Sequence, residues 1–298
     1  MRVSYSPGYT AEIPAKHIFP MGKFDGLHRY LTERQILSES QIIEPRLADP
    51  STLRQYHTER YLNCILHGLL DRKEERRLGL PWSKSLAIRS RLAVQGTINA
   101  SLMALQDGIS GNLAGGTHHS FPDHGEGFCV FNDVGIAIRT LKQAMWIKKA
   151  LIIDCDVHQG NGNAAFFAGD NDVFTFSIHG EKNFPFKKPP SDLDIGLPDK
   201  TADKEYLETL DAALNNILSG FTPDLVYYLG GIDILETDHF GRLAISRNGL
   251  RERDRIVIER MFNAGIPLVL VLSGGYAPTL QETVSAHANM FDIASRLV

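Results

Sequence analysis

The residues best suited to chemistry fall into four short clusters. The first is Asp154-Cys155-Asp156-Val157-His158, followed by Gln159-Gly160-Asn161-Gly162-Asn163. In extended chain, residues i, i+2 and i+4 share a face, so Asp154, Asp156 and His158 point the same way. Two adjacent carboxylates repel, and burying them is costly without a cation, so a divalent metal is the natural companion. The competing reading is a strand-end loop of solvated acids. The second cluster, Gly230-Gly231-Ile232-Asp233, offers a third ligand, although Gly-Gly-X-Asp is also ordinary turn chemistry. Asp, His and Asp leave a fourth position open, as catalytic rather than structural zinc sites do. Two oxygen donors and an imidazole also suit Fe(II), Mn or Co.

The third cluster is Gly115-Gly116-Thr117-His118-His119, continuing into Gly125-Glu126-Gly127-Phe128. Adjacent histidines in a Gly-rich loop read as metal ligands or as a base and an acid, since imidazole titrates near neutrality. Against this stands a pair of exposed loop histidines. His124 reads as structural or solvated. The fourth cluster is Ser273-Gly274-Gly275-Tyr276, whose phenol suits stabilisation of a developing oxyanion, or alternatively caps the sheet.

Each cluster needs an element to aim it. Ala150–Ile153, Val173–Ile178, Leu225–Leu229 and Pro267–Leu272 are short apolar runs of the kind that form strands covered on both faces. Helical spacing marks Leu86–Gln106, Asp133–Met145, Thr201–Leu218 and Asn248–Asn263, the last stopped by Gly265 as a C′ residue. Asp71–Arg77 carries both signs of charge and reads as a solvated helix end. Strands alternating with helices predict an α/β sandwich with a mainly parallel sheet. Ligands in such sheets sit beyond the carboxyl ends of the strands, where these clusters fall.

The bulk figures exclude other classes. The chain has 298 residues, 31 Lys+Arg against 35 Asp+Glu, and a net charge of −4, which argues against direct nucleic-acid binding. Cys64, Cys129 and Cys155 are too scattered for a disulfide framework or a thiolate zinc site, and suit a reducing compartment. The N-terminal MRVSYSPGYT has no apolar h-region, and no apolar run is long enough to cross a bilayer. The expectation is a cytoplasmic enzyme without a membrane partner.

In combination and in order, GGTHHSFPDHGEGFCVFND, IDCDVHQGNG, LGGIDIL and SGGYA closely resemble the zinc-dependent histone deacetylase family. The resemblance runs from VSYSPGY to the helix after Tyr276. DVHQGNG, LGLPWSKS and DILETDHFGRLAIS are most similar to class IV and bacterial class-IV-like members. It implies one arginase/deacetylase-like domain over residues 1–298, a three-layer sandwich, hydrolysing an N-acyl-lysine or a similar small acylated amine. It implies zinc on Asp156, His158 and Asp233, with Fe(II) as an alternative. It places His118 and His119 beside the reacting water and Tyr276 on the substrate carbonyl. The Gly127 carbonyl would accept the substrate amide N–H, and Phe128 and Phe184 would wall an acyl-lysine tunnel. Asp154 would stand behind His118 and, with Ser177 and nearby carbonyls, hold a structural potassium ion.

Two departures stand out. Asn161 occupies the place where many members carry an Asp behind the second histidine, which leaves the His119 imidazolium less stabilised. Leu78–Ser85 holds no acidic residue, where histone-directed members carry an Asp that clamps substrate backbone. Free acyl-lysines, acylpolyamines and longer acyl-lysines therefore stay open as substrates. An arginase-like two-metal site would need another carboxylate soon after His158, where Gln159, Gly160 and Asn161 stand. A non-catalytic acyl-lysine-binding module would have little use for all three ligands, both histidines and Tyr276. His179 is a candidate for the pocket rim. His17, His28, His57, His67, His239 and His287 read as structural.

Overall fold

The computed structural model describes residues 1–298. Its strands are β1 (Arg2–Ser4), β2 (Ile42–Ile43), β3 (Ile109–Asn112), β4 (Ala150–Asp154), β5 (Val173–Gly180), β6 (Leu193–Leu197), β7 (Leu225–Leu229) and β8 (Leu268–Val271). They form one sheet in the order β2-β1-β3-β8-β7-β4-β5-β6, with every pairing parallel. The four apolar runs are all strands. The second runs on to Gly180 because β6 pairs with it as far as Gly180↔Leu197. The fourth stops at Val271, where Leu272 turns its N–H to Ala114 instead.

Every residue of β4, β7 and β8 is buried, as expected of strands covered on both faces. Helices Lys84–Asp107 and Asp133–Gln143 pack together in one covering layer. Lys23–Glu33, Leu280–Ser295, Arg247–Asn263 and Asp203–Gly220 form a second chain of packed neighbours. The result is the three-layer α/β sandwich.

Helix ends follow local chemistry. Ser83 accepts from the N–H of Leu86 at 3.0 Å and starts the long helix, while Ser246 accepts from Gly249 at 3.0 Å. Gly265, at φ +67°, is the C′ stop expected of it. The second helix ends at Gln143 rather than Met145, whose φ of +58° no helix can use. The mixed-charge run is itself a short helix, Arg72–Leu78, opened by a reciprocal Asp71/Glu74 capping box.

Register fixes where the clusters emerge. Asp154 lies opposite Leu229, and Leu229 opposite Val271. These three residues define one line at the carboxyl edge of the sheet. Asp156 and His158 lie two and four residues beyond it, Asp233 four, and Ser273 and Tyr276 two and five. The Gly115-Gly116 loop joins them, because Ser273 donates its N–H to the Gly115 carbonyl at 3.1 Å.

Candidate active site

Three side chains converge at this edge. Ligand atoms of Asp156, His158 and Asp233 all lie within 4.8 Å of one another. His158 Nδ1 is 3.0 Å from Asp156 Oδ1 and 3.3 Å from Asp233 Oδ2. Backbone and hydroxyl donors hold the far side of each carboxylate. Val157 N–H donates to Asp233 Oδ1 at 2.9 Å, and Gly274 N–H and Ser273 Oγ donate to Asp156 Oδ2 at 2.7 and 2.8 Å. A Cβ on Gly274 would collide with the Asp233 carboxylate, so this close approach demands glycine.

Asp233 Oδ2 is buried and has no hydrogen-bond partner. Burial and the adjacent Asp156 carboxylate both push the Asp233 carboxyl upward. A buried carboxylate oxygen left bare beside a second acid and an imidazole nitrogen is the donor set that a divalent cation satisfies. The residues therefore fit the metal expected of them.

The two histidines stand alongside in different states. His118 Nδ1 is 2.7 Å from Asp154 Oδ2, both side chains being buried. Burial opposes its charge, but the Asp154 and Asp156 carboxylates outweigh it and hold the imidazolium up to about 9. His119 Nδ1 donates to Asn161 Oδ1 at 2.6 Å. That oxygen also accepts from Gly162 N–H at 3.1 Å, which fixes the amide the right way round. Burial, then the neighbouring His118 and His158, press His119 well below the usual imidazole range. With Nδ1 protonated, its other nitrogen carries the free lone pair.

These groups line one cavity of about 490 Å³ with Gly127, Phe128, Phe184 and Tyr276. Gly127 has φ +55°, and a Cβ there would come within 2.6 Å of the His119 ring, so the loop needs glycine. Phe128 follows at φ +67°, an uncommon conformation for a bulky residue. Phe184 packs edge-on against His119 at 5.0 Å between centroids, and Phe128 lies 5.9 Å from Tyr276. The Tyr276 N–H donates to Asp238 at 2.7 Å.

Ser177 lies opposite Asp154 in the β4–β5 register, and its hydroxyl meets His179 Nδ1 at 3.0 Å. His179 is therefore not at the rim: it is buried behind the site, and burial lowers it to about 4. His124 is bound to Asp123 and stacked on Phe121, outside the cavity lining.

Among the charged residues lining the cavity, the buried Lys23 and Arg89 lie outside the motifs read from the sequence, whereas Glu126 lies within one. Lys23 donates to the Ser273 carbonyl at 2.9 Å, and Glu126 accepts from Asn161 Nδ2 at 3.4 Å. A signal for Arg89 does exist. It stands three residues after Leu86 and four before Ala93, on the inward stripe of an amphipathic helix.

A histone deacetylase domain model matches residues 17–291 of the chain. An uncharacterized protein of Picosynechococcus is 44% identical over 286 residues, covering 96% of this chain and 95% of that relative. Histone deacetylase 2 of Arabidopsis thaliana is 31% identical, covering 95% of this chain and 76% of that relative. The chain belongs to the histone deacetylase family. The fold agrees. An Aquifex aeolicus histone deacetylase homologue superposes with a TM-score of 0.80 at 25% identity, over 97% of this chain and 83% of that one. A homologue complexed with SAHA gives 0.82 at 25% identity, over 97% and 84%. This histone deacetylase family hydrolase carries Asp156, His158, Asp233, His118, His119 and Tyr276 at the carboxyl edge of its sheet, where parallel sheets bind ligands. No helix is long and apolar enough to cross a membrane.

Proposed function

We propose that residues 1–298 act as one catalytic unit that hydrolyses the amide of an N-acyl-lysine or a similar small acylated amine, acetyl or longer. The observation that carries this reading is the convergence of Asp156, His158 and the bare Asp233 Oδ2 beside His118 and His119, in a cavity that also holds Tyr276. Asp156, His158 and Asp233 would hold zinc, or Fe(II). Bound there, the ion supplies Lewis-acid polarisation of the acyl carbonyl and acidifies the attacking water.

The chain's own residues do the rest. His119, held neutral, takes the water proton on its free nitrogen and returns it to the leaving amine. Asn161 fixes its tautomer. His118, held as imidazolium by Asp154, adds positive charge beside the carbonyl. The Tyr276 hydroxyl donates to the developing oxyanion. The Gly127 carbonyl accepts the substrate N–H, while Phe128 and Phe184 enclose the methylene stem of an acylated and hence uncharged lysine. Asp154, with Ser177 and local carbonyls, would bind a structural potassium ion that steadies β4.

The test is turnover of fluorogenic acetyl-lysine, longer acyl-lysine and acylpolyamine substrates with and without chelator. Activity that is lost with chelator and restored by zinc or Fe(II) is expected. Replacing the Tyr276 hydroxyl with Tyr276→Phe should lower kcat by about 10²–10³-fold. A Tyr276→Phe enzyme with full activity would refute the oxyanion assignment.

A further inference from the structure

Arg89 is 4% exposed and lines the same cavity as the metal ligands. Its Nε has no hydrogen-bond partner and its guanidinium enters no ion pair. Its only close company is aromatic, with Phe24 at 4.6 Å and Phe19 at 5.8 Å from the guanidinium carbon. Lys23, 3% exposed, lines the cavity with it, donates to the Ser273 carbonyl and lies 5.6 Å from the Phe19 and Phe24 ring centroids. The nearby Asp133 favours the charged guanidinium but makes no direct ion pair with it. Its oxygens are taken by Thr97 Oγ1 at 2.5 Å, Gly116 N–H at 3.1 Å and Thr117 N–H at 2.8 Å.

Two buried cations on one cavity, neither in an ion pair and offset at longer range by Asp133, Asp156 and Asp233, are expensive. An anion entering the cavity would relieve the cost. The cavity's other arginines, Arg76 and Arg77, lie at its exposed mouth and remain solvated. Lys23 and Arg89 instead belong to its buried part. An anion there must arrive joined to the acyl group or as the acid released from it, because the reacting centre lies on the same cavity. Arg89 presents a planar fork suited to a carboxylate, and Phe19 and Phe24 offer an apolar surface for the methylenes before it.

We propose that Arg89 and Lys23 form a carboxylate-binding subsite that takes the free terminal carboxylate of a dicarboxylic acyl group, of the succinyl or glutaryl type. This rests on the hydrolase reading of the site. Water adds across the C–N bond, the acyl carbon gains oxygen, the amine leaves with a proton, and the products are a free amine and a diacid. No oxidant or further co-reactant enters.

The experiment uses the metal-replete protein and lysine peptides acylated with succinyl or glutaryl groups. Each is paired with its terminal carboxamide, which has the same shape and no charge. Wild type should favour the carboxylate by about 10- to 100-fold in kcat/KM, the value of a charge-assisted hydrogen bond. Arg89→Gln, and independently Lys23→Gln, should bring that ratio towards one, so a folding failure in one variant leaves the other. A wild-type ratio near one overturns the proposal. A second arm measures binding of free glutarate, succinate and acetate by equilibrium dialysis. If acetate binds as tightly as glutarate through Arg89 and the substrate ratio is one, the subsite serves the released acid and the acyl-terminus assignment falls. If no acyl-lysine is turned over but glutarate still binds in an Arg89-dependent way, the subsite stands and the hydrolase reading falls.

Discussion

Two buried arginines, Arg253 and Arg89, show how this fold treats charge in different places. Arg253 is fully buried and fully spoken for. It donates to the Asp254 carboxylate at 2.7 and 3.0 Å and to the carbonyls of Cys155 and Gly231, and Tyr228 completes Asp254 at 2.6 Å. Those two carbonyls sit next to Asp156 and two residues before Asp233. Arg253 is thus a brace that ties the Asp156 and Asp233 loops to helix Arg247–Asn263. Arg89 is just as inaccessible and has no polar partner. The carboxylates repeat the contrast: Asp133 is satisfied on both oxygens, whereas Asp233 keeps Oδ2 bare. Satisfied groups hold the loops in place. Of these four groups the two left unsatisfied, Arg89 and Asp233, face the cavity, where a ligand can satisfy them. Two histidines, His57 and His287, also have bare nitrogens, but burial keeps both neutral, and a neutral imidazole costs far less to bury than an ion.

The comparison breaks most sharply at Asp233. Asp233→Ala removes a metal donor, and kcat/KM should fall by about 10³-fold or more, since the ion's Lewis acidity contributes several kcal/mol. Metal content measured alongside should fall with it. Near-normal turnover in that variant would mean that Asp233 is not a ligand. The paired test at the arginines comes next. Arg253→Met strands a buried Asp254 charge and should cost about 3–5 kcal/mol by denaturant unfolding. The same change at Arg89 removes an uncompensated charge and should leave stability unchanged or raise it. Equal losses at both positions would erase the distinction between brace and subsite.

How much of this was legible in the sequence follows from the same division. The strands β4, β5, β7 and β8 stand out because central strands are continuously apolar. The strands β1, β2, β3 and β6 do not. Two of them are only two or three residues long, β3 reads Ile-Ser-Gly-Asn, and β6 at the edge alternates Leu-Asp-Ile-Gly-Leu. Their places in the sheet depend on long-range pairing that no local pattern records. Most motif residues were readable because they lie within a few residues of a strand end, and Gly127 and Phe128 because they stand in a Gly-rich loop. Lys23 and Arg253 were not, and Arg89 showed only through its spacing within a helix, because all three reach the site from helices remote in sequence. The misplacement of His179 has a similar origin: beyond Ser177 the strand continues two residues further than its apolar run, carrying His179 into the buried sheet.

His57 tests whether a bare group away from the cavity is only a tolerated cost. It packs against Tyr61 and Phe131, accepts the Asn132 N–H at 3.1 Å, and is lowered to about 3 by burial. The unfolded chain protonates this imidazole near 6.5 and the folded chain does not. Between those values the unfolded state binds more protons, so stability is full above about 6.5 and falls as pH drops towards 3. The accumulated loss is on the order of a few kcal/mol. His57→Gln keeps an acceptor for Asn132 and should flatten that part of the stability–pH curve. An unchanged slope would assign the acid sensitivity elsewhere.

The smallest effect expected is at Asn161, where the comparison is between a neutral and a charged partner for the same nitrogen. Asn161 accepts from His119 Nδ1 without adding charge. Asn161→Asp would keep the acceptor and place a carboxylate 2.6 Å away, which favours the imidazolium. A base that protonates more readily loses its free form at higher pH. The acid limb of the kcat/KM profile should therefore move up by about one unit or more. Glu126 moderates the shift, since its carboxylate already lies 3.4 Å from Asn161 Nδ2 and would face the new acid. Asn161→Asp combined with Glu126→Gln should then show the larger displacement. If both variants keep the wild-type acid limb, His119 is not the group whose protonation limits the reaction.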